Sequence, residues 1–320
     1  GLLVFGILTA ISGAVARTQS TQYSAKYWDP DGRYSMVSVF LPEGSGLEQD
    51  NVRQLEYALD QALIKEALEA PSDNARLYVS SYSVKTEASV SSQRSKSQTC
   101  TAYGVGGDFF RFHNYELISG SYLVEDSIMD DHVVLDEEAA WKIFGAIEVD
   151  GMTLIYDGKE YVVQGVVKPM DEFKSKAGGA ESGTIFFPFS RIGGKADCYE
   201  IIFPNLVSGF AVKQITEAFK SCGYDEDDIR IVDNSERYGF VNSVKRLVKW
   251  TNKGMSFKSL TYPYWENSAI AVENIVDLLT FFRILFIVPP VIIVVVSIIC
   301  FHPLHRFKLL VLKIVEHFKK

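Results

Sequence analysis

Three short runs in the sequence carry residue types that can bind a metal ion or a nucleotide: Asp130–His132, Asp225–Asp228 and Gly104–Gly107. The first, two carboxylates beside an imidazole, is typical of a solvated loop before a strand. The second is acidic throughout, but it lacks the glycine and the spaced glutamate of a calcium-binding loop. The third precedes aromatic residues instead of the helix that a phosphate-binding loop requires. We therefore predict no metal site and no cofactor site.

The patterns of common hydrolases and ATPases are also absent from the sequence. Gly-x-Ser-x-Gly, His-Glu-x-x-His, Cys-x-x-Cys and Gly-x-x-x-x-Gly-Lys-Ser/Thr do not occur. Of the five histidines, three follow the last apolar stretch: His302, His305 and His317. We therefore predict that the chain is not an enzyme and has no catalytic residues, so that any ATPase activity lies on a separate subunit.

Two of the four cysteines bracket one predicted strand–helix unit. A disulfide between Cys198 and Cys222 would be compatible with a location outside the cytoplasm. Two unpaired, buried thiols are the alternative, because spacing alone does not establish a bond.

The most informative element of the chain is an uncharged stretch near its C-terminal end. Ile284–Phe301 would reach roughly 27 Å as a helix, close to the ~30 Å hydrocarbon core of a bilayer. Residues 302–320 are basic and amphipathic, which places them in the cytoplasm by the positive-inside rule and the preceding domain outside. We predict a transmembrane helix over 284–301, kinked at Pro289 and Pro290.

The first sixteen residues, 1–16, are uncharged as well. They are predicted to be a transmembrane helix that is incomplete at its N-terminal end. A cleaved signal peptide is the alternative, because Ala14–Ala16 fits a small-x-small cleavage pattern. Either reading leaves the large domain outside, anchored in the plasma membrane.

The charge balance agrees with a domain outside the cell and a tail inside. The chain carries 32 Lys and Arg against 40 Asp and Glu; the tail holds five of these cations and one anion, which leaves 27 cations against 39 anions in the rest of the chain. An acidic outer domain lacks the basic face that nucleic acid binding requires, so nucleic acid is excluded as a partner.

Between the two apolar stretches, the same order of elements occurs twice. A strand, a helix and a strand are predicted over 33–41, 47–70 and 76–82, and again over 198–203, 207–220 and 229–232. The segment between them is β-rich. It contains a helix over 137–144, capped by Asp136 and stopped by Gly145, and a hairpin at Asp157-Gly158. The fold class predicted is therefore α+β, two strand–helix–strand units with a β-rich insertion, lying between two transmembrane helices.

Two further stretches of the outer domain are candidates for meeting cargo. Gly178–Gly183 is predicted to be a flexible, exposed loop. Tyr262–Trp265 is predicted to be an exposed aromatic cluster, and an aromatic belt at the membrane interface is the alternative. Residues 268–283 then read as an amphipathic stalk helix that continues into the second span.

An ordered set of motifs resembles a known family. Its members in this sequence are Gly104–Phe110, Tyr115–Tyr122, His132–Gly145, Gly151–Leu154, Tyr161–Val167 and Phe186–Ser190. The set resembles the periplasmic core domain of MacB-type ABC transporter permeases, in the FtsX-like and MacB-like permease family.

The resemblance implies a domain organisation. Its parts are a first transmembrane helix (1–16), an extracytoplasmic core domain (17–267) with porter-like segments (33–105 and 198–250) and a β-rich insertion (about 106–197), a stalk (268–283), a second transmembrane helix (284–301) and a cytoplasmic tail (302–320). The family's permeases have four spans and two are predicted here. A short variant that pairs with a related permease subunit therefore fits the resemblance best.

The resemblance also implies a function. A separate ABC ATPase would drive motion that the membrane-anchored subunit relays to its outer domain, for export of a peptide, a lipid or an antibiotic-like cargo. The alternative is a membrane-anchored extracytoplasmic binding or sensory module that is not coupled to ATP.

Overall fold

The computed structural model describes residues 1–301 except 69, 71, 73, 74, 94, 125–129, 172, 250–255, 258 and 259. The predicted tail, 302–320, lies outside the described residues. The strands are β1 (Tyr34–Phe40), β2 (Val79–Ser92), β3 (Gln98–Gly107), β4 (Leu117–Gly120), β5 (His132–Asp136), β6 (Thr153–Tyr156), β7 (Lys159–Val167), β8 (Thr184–Pro188), β9 (Cys198–Pro204), β10 (Arg230–Asp233), β11 (Ser256–Phe257) and β12 (Leu260–Thr261). The helices are α1 (Leu2–Ala16), α2 (Ser24–Trp28), α3 (Gln49–Lys65), α4 (Phe109–Phe112), α5 (Glu137–Phe144), α6 (Phe189–Ile192), α7 (Phe210–Ser221), α8 (Phe240–Lys249) and α9 (Tyr264–Phe301).

The chain divides into two compact units. The first comprises Gly1–Arg17 and the described residues of Tyr238–Thr251 and Glu273–Lys320. The second comprises Thr18–Arg237 and the described residues of Asn252–Val272. We call them the helical unit and the α+β unit.

One mixed sheet organises the α+β unit. Its strand order is β10-β1-β9-β2-β3-β8-β5-β7-β4, and β6 pairs with β2 and β7. Neighbours are antiparallel except in the pairs β3–β8 and β5–β7. The first four strands in this order come from the two strand–helix–strand units, β1-α3-β2 and β9-α7-β10, which interleave as in a ferredoxin-like arrangement. The predicted α+β class with a β-rich insertion is confirmed.

Alternation along the strands separates the cores on the two faces of the sheet. In β1, Val39 belongs to the core under α3 and α7, whereas its neighbour Phe40 belongs to an aromatic core with the first residues of α9. In β8, Phe187 packs into the core under α5, and Phe186 again joins the aromatic core. The helices α3, α7 and α5 therefore cover one face, and the beginning of α9 lies on the other.

The local signals of the insertion form as predicted. The Asp136 carboxylate accepts a hydrogen bond from the Ala139 N–H at 2.7 Å and caps α5, which ends at Gly145 in a left-handed conformation. Asp157 and Gly158 both take positive φ in the turn between β6 and β7.

The first long helix is shorter than the predicted 47–70. It ends at Lys65 because Ala67 adopts a φ of +55° and the chain turns back. The Leu68 N–H then donates to the Leu63 carbonyl at 3.0 Å, and both side chains pack on the core under α3. The helices α2 and α8 were not predicted at all.

The helical unit contains α1, α8 and the part of α9 that begins at Glu273. α1 runs antiparallel to α9, since Gly1 lies against Phe286 and Pro290 whereas Phe5 lies beside Arg283. By length and composition, Tyr264–Ile298 could cross a membrane, with a mean hydropathy of 2.6 in its most apolar window. With 15 residues, α1 is shorter by itself than a full membrane span. Whether α1 spans a membrane, and whether the prolines kink α9, stay predictions.

Candidate functional site

Two of the three runs singled out as possible ligands lie near each other, since Gly106, Gly107 and Asp130 line one cleft. Asp130 forms an ion pair with Arg191, and His132 Nδ1 lies 2.9 Å from the Asp131 carboxylate. Gly104 belongs to strand β3, where Ile192 packs against it. In the described part of the chain, no group of three or more His, Cys, Asp or Glu side chains could hold a metal ion.

The two cysteines that the sequence could link are both unpaired. Cys198 is buried in β9, and Cys222 is half-buried after α7. Burial raises the pKa of the Cys198 thiol well above its usual value, so this thiol stays protonated.

A connected set of buried polar side chains surrounds the first residues of α9 within the α+β unit. We call this set the junction and define it by seven residues: Ser38, His113, Glu200, Asn234, Arg237, Trp265 and Glu266. They come from five separate parts of the chain, and all of them are buried.

The strongest contact of the junction joins α9 to the segment after β10. Arg237 donates two parallel hydrogen bonds to Glu266, 2.6 Å from Nη1 to Oε2 and 2.7 Å from Nη2 to Oε1. The side chains are only 3% and 4% exposed. A bidentate guanidinium–carboxylate pair in such a dry environment fixes both distance and orientation.

The contact continues from Arg237 into the centre of the sheet. Arg237 Nη1 donates to Asn234 Oδ1 at 3.3 Å, and Asn234 Nδ2 donates to Ser38 Oγ at 2.8 Å. Ser38 Oγ donates to Glu200 Oε1 at 3.1 Å, and Glu200 Oε2 lies 2.8 Å from His113 Nε2. Each carboxylate oxygen of Glu200 therefore has a partner, which is what a charge at the middle of a sheet requires.

Aromatic contacts connect His113, at the far end of this series of hydrogen bonds, to Trp265 of α9. The His113 ring lies 4.4 Å from the Trp265 ring, centroid to centroid, and Trp265 is the neighbour of Glu266. The Trp265 ring also packs against Tyr103 and Phe109. The first turn of α9 is thus held on one side by an ion pair and on the other by an aromatic cluster.

Two tyrosine hydroxyls add a further polar contact. Tyr264 Oη lies 2.7 Å from Tyr115 Oη, and Tyr122 Oη donates to the Tyr115 carbonyl at 2.6 Å. Burial raises the pKa of Tyr103 well above its usual value and also raises that of Tyr262, so both hydroxyls remain protonated.

The glycine loop predicted to be exposed contributes to the same region. Gly178 is buried against α9, where a Cβ atom would come within 2.5 Å of Ser268 Oγ and 2.6 Å of the Tyr264 carbonyl. Asn267 Nδ2 donates to the Gly178 carbonyl at 3.0 Å. The prediction of an exposed Gly178–Gly183 loop is wrong at Gly178 and at Gly183, whose N–H donates to the Asp136 carboxylate at 2.9 Å.

The prediction of an exposed aromatic cluster at Tyr262–Trp265 is wrong as well. Tyr262, Tyr264 and Trp265 are at most 9% exposed and belong to the aromatic core. An aromatic run near an apolar stretch has the same composition whether it faces a membrane or a protein core. Only the sheet, whose strands come from distant parts of the sequence, decides between the two.

A cleft lies elsewhere on the α+β unit. It has a volume of about 400 Å³, and residues of α3, β2, β3 and α6 line it, among them Arg53, Glu56, Tyr82 and Phe189. The backbone at Gly106 forms part of its floor, and the Tyr82 ring leaves no room for a side chain there. Among the described residues, its walls combine charged and aromatic side chains.

Comparisons with known proteins identify similar sequences. The family model described as the MacB-like periplasmic core domain matches residues 2–220. The "Macrolide export ATP-binding/permease protein MacB" of Shewanella sp. (strain W3-18-1) is 27% identical over 120 residues. That alignment covers 37% of this chain and 17% of the relative, so the chain spans only a small part of that relative's length.

Solved structures of low sequence identity are also similar to this chain. The periplasmic region of MacB from Actinobacillus actinomycetemcomitans is 21% identical, with a TM-score of 0.46, over 68% of this chain and 94% of that one. The extracellular domain of the noncanonic ABC-type transporter YknZ from Gram-positive bacteria is 10% identical, with a TM-score of 0.43, over 62% of this chain and 99% of that one. The family assignment rests on the match of the family model over more than half of the sequence: this chain belongs to the MacB-like periplasmic core domain family.

Proposed function

We propose that this chain is a membrane-anchored, non-catalytic, permease-like subunit of an ABC export complex. In this proposal a separate ABC ATPase moves α9, and the junction passes that movement to the α+β unit. A related permease subunit completes the complex, and the cargo is a peptide, a lipid or an antibiotic-like molecule. The α+β unit lies outside the cytoplasm, and the tail over 302–320 lies inside.

The observation that carries the proposal is the anchoring of α9 by the junction. One helix begins with a dry, bidentate ion pair to Arg237 and continues into the uncharged stretch Ile284–Phe301. A bidentate pair resists rotation of the helix about its axis, because both hydrogen bonds would have to break together. The aromatic core resists translation, because side chains packed in a protein interior cannot shift without moving their neighbours. A movement of α9 is therefore passed on to the sheet instead of being absorbed at the contact.

The membrane anchor in this proposal rests on the apolar surface of α9. Its side chains beyond Arg283 are mostly exposed in the protein alone, for example Ile293 at 65% and Ile298 at 58%. A soluble protein rarely exposes such a continuous apolar surface, whereas a bilayer covers it. The relative's printed name joins ATP binding to permease activity, which supports an ATPase as the source of the motion.

Purification of the full-length protein from its native membrane in a mild detergent tests the proposal. We expect an ABC ATPase to elute with it, and a trapped ATP analogue to increase the amount retained. A membrane protein with no sequence similarity to this family, purified in parallel, controls for adventitious association. If the protein elutes alone while other membrane complexes stay intact, the proposal fails and the uncoupled binding or sensory module replaces it.

A further inference from the structure

One arginine in the helical unit has no counter-charge among the residues that the structure describes. Arg283 is the last charged residue before the uncharged stretch Ile284–Phe301, and it is only 8% exposed. Among the described residues it forms no ion pair, and its Nε is enclosed without a hydrogen-bond partner. An unpaired guanidinium removed from water is costly, by several kcal/mol on general grounds.

Two aromatic rings hold this guanidinium in place. Its Cζ lies 5.4 Å from the centre of the Phe5 ring on α1 and 4.6 Å from that of Phe240 on α8. Cation–π contacts of this kind orient an arginine but leave its N–H donors unused. One turn earlier on α9, the fully buried Thr280 has a hydroxyl oxygen that also lacks a partner in the described part of the chain.

In the helical unit, the two acidic groups on the part of α9 before Arg283 are already paired with another arginine. Arg246 on α8 lies 2.7 Å from the Glu273 carboxylate and 2.7 Å from the Asp277 carboxylate, so both acidic groups of this part of α9 are engaged. Asp277 is therefore not available to neutralise Arg283, which lies nearly two turns further along the helix. The missing anion has to come from outside the described chain.

We propose that Arg283 binds the phosphate group of a membrane phospholipid. A guanidinium at the boundary between charged and uncharged sequence lies at the depth of the lipid headgroups. Its planar fork matches two phosphate oxygens, and Phe5 and Phe240 provide apolar surface for the adjoining acyl chains. The three helices α1, α8 and α9 together form the site. The proposal shares only the membrane anchor with the proposed export function and does not depend on an ATPase.

Lipid titration of the purified full-length protein, followed by native mass spectrometry, tests this site. The probes are phosphatidylglycerol, diacylglycerol, which has no phosphate, and inorganic phosphate, which has no acyl chains. We expect Arg283→Gln to weaken phosphatidylglycerol binding at least tenfold relative to the wild type, and to leave diacylglycerol binding unchanged. Lys245→Gln removes an exposed cation from the same unit and should bind phosphatidylglycerol as the wild type does.

Three results would overturn the proposal. Arg283→Gln could bind phosphatidylglycerol like the wild type, Lys245→Gln could lose as much affinity as Arg283→Gln, or inorganic phosphate alone could occupy the site and block the lipid. If Arg283→Gln does not fold, Arg283→Lys takes its place. We then expect a loss of about threefold or more, because an ammonium is a single point charge without the guanidinium fork. Unchanged affinity in that variant contradicts the proposal as well.

Discussion

At the scale of single residues, the pair of Arg237 and Glu266 is better explained by orientation than by stability. Removing one partner from a buried ion pair costs about 3–5 kcal/mol, whereas replacing both by apolar side chains is often neutral. The pair therefore adds little net free energy of unfolding beyond an apolar contact of the same size. What it adds is a fixed angle between α9 and the segment after β10, which suits a helix that transmits motion.

Few of these residues could be identified from the sequence. Arg237 and Glu266 are 29 positions apart, and His113 and Glu200 are 87 positions apart. No local pattern distinguishes them from the solvated charges that surround them. Asp136 was identifiable as a helix cap because its partner, Ala139, is three residues away and the geometry is local.

A second residue-scale effect concerns Asp197, at the start of β9. Burial raises the pKa of its carboxyl to about 7, and the charge of Glu43 adds to the increase. Between the unfolded value of 3.8 and pH 7, the folded protein keeps a proton that the unfolded chain has lost. The contribution of Asp197 to stability is therefore full below about pH 4 and is lost as the pH rises to 7.

We expect Asp197→Asn to be as stable as the wild type near pH 4 and more stable at pH 8, by up to about 4 kcal/mol. Thermal unfolding of both proteins in detergent, from pH 4 to pH 8, measures the difference. Comparing the two proteins cancels the contribution of Asp136, whose pKa burial raises to about 6. Parallel profiles over the whole range would show that Asp197 titrates normally.

At the scale of secondary structure, strands and helix caps can be predicted from local signals. Which partner buries the apolar face of a helix cannot be predicted in this way. The strand–helix–strand units were predictable because periodicity and turn residues mark them. The burial of Tyr262–Trp265 was not, because it depends on β3, β8 and β9 meeting under α9. α8 was not predicted although Val241, Val244 and Val248 recur at helical spacing; in the structure it contacts α9 through the ion pair of Arg246 with Asp277.

Gly178 provides a test of how tightly α9 is packed at its beginning. An added Cβ would collide with the backbone carbonyl of Tyr264 at 2.6 Å, so α9 or the loop must shift. We expect Gly178→Ala to lower the free energy of unfolding by about 1–3 kcal/mol. Amide hydrogen exchange over 264–272 should become faster as well.

Gly13→Ala in α1 is the matched control for that experiment. A Cβ at Gly13 meets nothing within 4 Å, and alanine favours a helix over glycine. We expect this control to be neutral or slightly stabilising. Equal exchange rates over 264–272 in Gly178→Ala and the wild type would mean that α9 is not held by this loop.

At the scale of the α+β unit, the aromatic core under α9 covers one face of the sheet. The opposite face of the same sheet carries α3 and α5. The cores beneath these two helices are separate, and the aromatic core includes residues of β1, β3, β5, β8 and β9. A displacement of the first turn of α9 therefore acts on strands whose opposite faces carry the core under α3 and the core under α5. The family and the class of fold could be predicted from the ordered motifs. The contact of one aromatic core with all these strands could not, because it depends on the order of the strands in the sheet.

The measurement that tests the central proposal most directly is the distance between α3 and α5 during nucleotide turnover. Spin labels replace Tyr57 and Trp141, which are 66% and 62% exposed, in the full-length protein with Cys222→Ser and its co-purified ATPase. We expect the distance distribution to shift between the nucleotide-free and the vanadate-trapped states. Arg237→Met combined with Glu266→Leu should keep the fold and the bound ATPase but abolish the shift. An unchanged distance in the wild type, with the ATPase bound and nucleotide trapped, would contradict the account.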